Sequence, residues 1–230
     1  MPVAPYRRTT EAPQAEAVAH ACAARKSGAV SHAMAAPALL AVVSGGRLAA
    51  ALGLPERPDL AGRLARSPRL RGRVSRLAAL RLQLGDTADP SVSPAWAWLD
   101  IHTPAILARA ALLLGLAAAL AGSGPAIRKA DWRALPVAVD DALMAAALAL
   151  RGAAPPAEGI DLAAAAAGRC DLQALGAALV AAWSARFDKG AALIRAALPP
   201  ATRWPGPIPP EPVLDTLVAA ALAAAREPAS

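Results

Sequence analysis

"PAILARAALLLGLAAALAG", residues 104–122, decides the fold. The run carries one charge, Arg109. Length alone would let it cross a membrane, because about twenty apolar residues at ~1.5 Å rise cover a ~30 Å hydrocarbon layer. Composition points the other way. Alanine fills eight of the nineteen positions and gains far less than leucine from entering lipid, while Arg109 would be costly there. The ends are those of a globular helix, with Thr103 and Pro104 as N-cap and first helical residue and Gly122-Ser123-Gly124-Pro125 as the stop. The run is therefore expected to be a buried helix in a soluble core, with no membrane insertion.

Working outward, the composition suits closely spaced helices. Apolar residues make up 56% of the 230-residue chain and aromatic residues 3%, so the interior must be built from alanine, leucine and valine, with five tryptophans as the large pieces. Runs of alternating β-branched and aromatic residues are missing, which makes the expected class all-α. A chain of this length buries roughly 70% of its unfolded surface, enough for one compact helical domain. Cys22 and Cys170 are expected to be reduced thiols rather than a disulfide. The first 25 residues contain prolines and acids and no continuous apolar segment, so they do not read as a signal peptide, and the expected compartment is the cytoplasm.

The expected organisation is a short flexible tail over residues 1–13 and a helical domain over 14–230. That domain divides into a basic part (14–86), a neutral helical part (95–198), a connector with seven prolines (199–212) and a C-terminal helix (213–226). In the basic part the patterning suggests a helix over Gln14–Lys26, another over Ala38–Leu52 interrupted at Ser44-Gly45-Gly46, and a turn over Gly53–Asp59. A third helix is expected from Ser67-Pro68 to Leu84, burying Leu70, Val74, Leu77 and Leu84 beside a stripe of Arg69, Arg73 and Arg76. Residues 86–94 read as a polar linker. Beyond the long apolar run, a short helix near Trp132 and a longer one to Arg151 are separated by Pro136. Helices over Asp161–Ala185, broken at Gly168, and Asp188–Leu198 follow. The last helix should dock through Leu214, Leu217, Val218, Ala221 and Leu222.

The charge is unevenly spread. Residues 1–86 hold thirteen Lys or Arg against five Asp or Glu, whereas residues 87–230 hold eleven against twelve. Between Arg57 and Arg81 there are eight arginines and one acid, Asp59. Such a stretch suits an acidic protein partner or, as the alternative reading, a nucleic-acid-binding helical regulator.

Catalytic chemistry has little to work with. His20, His32 and His102 lack a helical metal-ligand spacing, the cysteines form no C-x-x-C pair, and no metal or cofactor site is expected. Asp140 and Asp141 are adjacent, so on a helix they point about 100° apart and cannot face each other as acid and base. Gly122-Ser123-Gly124 matches no phosphate-binding loop, and no G-x-S-x-G elbow is present. No catalytic residue is expected. The tryptophans at 96, 98, 132, 183 and 204 read mainly as core residues, with one or two as interface anchors.

The order of "SPRLRGRVSRLAALRLQLG", a tryptophan-bearing segment, "ILARAALLLGLAAALAG" and "PAIRKADWRALPVAVDDALMAAALALR" is similar to the helical adaptor of bacterial type III secretion sorting platforms, the SctK family. Leu112 to Leu120, Arg128, Trp132 to Leu135 and Leu143 to Arg151 occupy the family's positions, over roughly residues 67–151. The family's N-terminal tryptophan is missing from "SHAMAAPALL", and Val139-Asp140 stands where a glycine is expected. The resemblance implies a non-enzymatic cytoplasmic adaptor that joins the inner-membrane ring to the pod protein, with peripheral association through the apparatus. The partner-binding set is then Arg69, Arg73, Arg76, Trp96, Trp98, Arg128 and Trp132.

Overall fold

The computed structural model describes residues 35–84, 95–124, 127–155 and 157–226. All of them belong to the second of the chain's two compact units, residues 33–230. The expected tail, the helix over Gln14–Lys26, His20, His32, Cys22 and the linker 86–94 lie outside the described residues.

Among the described residues there is no strand, and the fold is all-α. The first group of helices is α1 (Ala35–Val42), α2 (Gly45–Ala51), α3 (Pro58–Arg66) and α4 (Arg71–Arg81). Then come α5 (Ala95–Ile101), α6 (Pro104–Gly122), α7 (Lys129–Arg133), α8 (Asp141–Leu150) and α9 (Leu162–Ala166). The chain closes with α10 (Leu172–Ser184), a 3₁₀ segment (Ala185–Gly190), α11 (Ala191–Ala197) and α12 (Glu211–Arg226).

Short polar residues start several of these helices. Thr103 Oγ1 accepts from the Ile106 N–H, and Asp140, Asp161 and Asp171 accept in the same way from Leu143, Ala164 and Ala174. Each satisfies a donor that the first helical turn leaves free. These carboxylates are thus committed to structure.

The long apolar run is α6, and it is the axis of the core. Leu107 and every residue from Ala110 to Leu120 are buried, beneath α8, α9, α10 and α12. A helix apolar on all sides needs cover on all sides. Its closest neighbour is α10, and the two backbones touch through glycines. A Cβ on Gly115 would lie 1.8 Å from the Leu172 carbonyl oxygen, and one on Gly176 would lie 1.8 Å from that of Ala111. Arg109 sits at the edge of the run, its guanidinium 3.7 Å from the Asp140 carboxylate.

The last helix docks as expected, with Leu214, Leu217, Val218, Ala221 and Leu222 buried and Ala225 added. Asp215 near its start accepts from the Trp183 indole N–H at 2.8 Å and also pairs with Arg186. The proline-rich connector is non-helical over residues 199–210 and Trp204 is buried within it, with α12 starting two residues earlier than expected, at Glu211. The Thr202 N–H donates to the Ala174 carbonyl at 3.2 Å.

The N-terminal group departs from expectation in two ways. Helix α3 lies where only a turn was expected, opened by Pro58 and with Asp59 in its first turn. Helix α4 begins at Arg71 and ends at Arg81, with Gln83 at a φ of 54° reversing the chain. Of the four expected core residues Val74 and Leu84 are buried, whereas Leu70 and Leu77 are 37% and 39% exposed and Ser75 and Ala78 join the buried side. The helix is turned roughly 90° from the expected orientation. Small residues let α4 lie close against α1 and α3, and the leucines stay at the rim.

Candidate protein-binding face

Arg63, Arg66, Arg69, Arg71, Arg73, Arg76 and Arg81 are exposed on α3, α4 and the turn between them. No ion pair engages any of them among the described residues. The one pair in this region is Arg57 with Asp59, 3.7 Å apart and mostly exposed, a geometry that contributes little. At 100° per residue Arg73, Arg76 and Leu80 fall within about 60° of one another, on the side opposite Val74, Ser75 and Ala78, and Arg69 lies in the turn just before the helix. The expected arginine stripe is therefore brought together on one solvent face. Leu80 stands in the middle of it, 73% exposed.

The other expected partner residues are not gathered there. Trp96 is 4% exposed and Trp132 is 9% exposed, so both are core side chains with little surface to offer a partner. Their size makes them effective fillers of an interior otherwise made of alanine and leucine. Trp98 is half-buried and stacks on His102 at 4.2 Å, with Trp183 at 5.5 Å and Phe187 at 6.3 Å. Arg128 is exposed at the start of α7, where its backbone N–H donates to Asp131 at 2.7 Å. Helix α4 packs on α1, α2 and α3, α5 packs on α11 and the 3₁₀ segment, and α7 packs on α9. The seven residues thus occupy three neighbourhoods.

Sequence reasoning missed the exposed leucines and a buried polar contact at His102. This ring is buried, its Nδ1 lies 2.9 Å from the Trp98 carbonyl oxygen, and its Nε2 faces the Arg226 guanidinium. The carbonyl requires Nδ1–H as donor, which leaves Nε2 as acceptor from Arg226. Burial holds the His102 pKa below its ordinary value, the Trp98 hydrogen bond opposes that, and the Arg226 charge adds to the lowering. Cys170 is a free, half-buried thiol. Burial, then Asp161 and Asp171, raise its pKa, while Arg169 lowers it. A thiol so held is a poor nucleophile.

Among the described residues no group of three or more His, Cys, Asp or Glu could hold a metal ion. An open cleft of about 560 Å³ runs past Ser123, Asp131 and Asp161. Asp131 and Asp161 accept from backbone N–H groups, and Ser123 Oγ donates to Ala119 while accepting from Leu162. Its polar groups serve helix ends.

Among the described residues the fold is all-α, and α3, α4 and their turn present a solvent-facing cationic surface. Comparison with family models, curated proteins and solved structures gives no match to the chain.

Proposed function

We propose that the protein is a non-enzymatic adaptor that binds acidic protein surfaces, in keeping with its resemblance to the type III secretion sorting-platform adaptor. In that role it would work at the cytoplasmic face of the inner membrane and join the ring's cytosolic domain to the pod protein. One observation carries the reading: seven exposed arginines on α3, α4 and their turn lack any acidic partner among the described residues. An unneutralised cationic surface steers association with acidic partners and fixes orientation.

Reversing Arg69, Arg73 and Arg76 to Glu in the full chain tests this. Capture of the ring's cytosolic domain or the pod protein should fall at least about tenfold, since each exposed pair contributes on the order of 0.2–1 kcal/mol and reversal adds repulsion. Helicity by circular dichroism should not change. Undiminished capture would overturn the reading. Binding to double-stranded DNA that falls steeply with salt, without capture of either protein, would assign the face to nucleic acid.

A further inference from the structure

The exposed side of α4 carries more than charge. Leu70, Arg73, Leu77 and Leu80 follow one another at steps of three, four and three residues, the a, d, a, d spacing of a heptad. In that register Arg69 and Arg76 take g positions and Arg81 an e position. The three leucines are 37%, 39% and 73% exposed; Val74, at an e position beside Leu70 and Leu77, faces the core with Ser75 and Ala78, so the seam is most open at Leu80. The seam spans roughly 15 Å; Leu80 stands open to solvent, and Leu70 and Leu77 each keep more than a third of their surface exposed.

We propose that this seam seats an acidic amphipathic α-helix of a partner protein. The partner's leucine-type stripe would pack on Leu70, Leu77 and Leu80, and its flanking carboxylates would meet Arg69, Arg73, Arg76 and Arg81. This deepens the adaptor reading and rests on it for the partner's acidity. Three considerations select this occupant. A second copy of the chain would bring its own arginines against these, a repulsive pairing. The chain's other segments supply no acidic helix, because residues 1–34 hold four basic and two acidic residues, and residues 85–94 hold two acids with two prolines. Phosphate backbones would use the arginines alone and leave heptad-spaced leucines without a role. A helix laid on regularly spaced anchors uses both.

The test uses the full chain and two synthetic peptides of identical composition. In one, leucines occupy a and d and glutamates e and g; in the other, the same residues are arranged to spread the leucines around the helix. The striped peptide should bind at least tenfold more tightly by fluorescence anisotropy. Leu77→Ser with Leu80→Ser should erase that margin at unchanged helicity, since both side chains are exposed. Equal binding of the two peptides would overturn the proposal, leaving charge as the only recognition. Leucine-dependent binding to vesicles of phosphatidylglycerol and phosphatidylcholine, exceeding that of the striped peptide, would overturn it in favour of a lipid surface. The two failures are distinguishable, because peptide preference does not depend on which protein the arginine reversal releases.

Discussion

Helix α6 carries leucines at three- and four-residue steps and α4 carries Leu77 and Leu80 three apart, yet the first is enclosed from Ala110 to Leu120 and the second leaves both of its leucines at the surface. The contrast lies in where the small residues sit. In α6, Ala111 and Gly115 let α10 approach until Gly176 touches backbone, and dispersion contacts accumulate along the whole crossing. In α4, Ser75 and Ala78 do the same on a smaller scale against α1 and α3. In a chain this rich in alanine, closeness is set by the residues that project least. Leucine reports apolar area, and its neighbours decide whether that area is covered.

The comparison can be broken at its strongest point. Gly115→Val places side-chain atoms where the Leu172 carbonyl already stands. Stability should fall by more than about 4 kcal/mol, beyond ordinary overpacking, because backbone rather than a flexible side chain must yield. Chemical denaturation would show it, and a loss under about 1 kcal/mol would mean the crossing is slack.

A matched pair then sharpens it. Leu113 is fully buried in α6 and Leu80 is 73% exposed on α4. Leu113→Ala should cost about 2–5 kcal/mol, and Leu80→Ala should stay within about 0.5 kcal/mol. Similar losses from both would show that α4's leucines are covered in solution.

The smallest effect concerns the start of α6, where His102 precedes the N-cap. Its pKa is lowered in the folded chain, so the folded state binds fewer protons than the unfolded one. Its contribution is full above the ordinary histidine value of about 6.5 and declines as pH falls below it. Melting temperature should therefore drop between pH 7 and 5.5 more steeply for the native chain than for His102→Gln. Equal slopes would show that burial of the ring, with the Arg226 charge beside it, does not disfavour its protonated form.

These contrasts also mark what could be read from sequence. The ends of α6 were legible because a Thr-Pro start and a Gly-Ser-Gly stop have local causes, and the break at Gly168 was legible for the same reason, its φ being +68°. Helix α3 was not, since two prolines and a glycine within seven residues resemble a turn although Pro58 opens the helix. The rotation of α4 and the crossing at Gly115 and Gly176 depend on residues far apart in the chain, which periodicity does not register. The arginine face was legible as a stripe at helical spacing. The fate of the tryptophans was not, because an indole ring fills a core or anchors a partner equally well until its neighbours are known.

The strap from Pro199 to Pro210 also has a practical consequence. With Trp204 sunk into the body and Thr202 bonded to Ala174, α12 is a keystone and not an appendage. A protease nick at Arg203 would leave two fragments that travel as one species on a sizing column. A shortened gene product ending there would strip the roof from one flank of α6 and offer its leucines to aggregation.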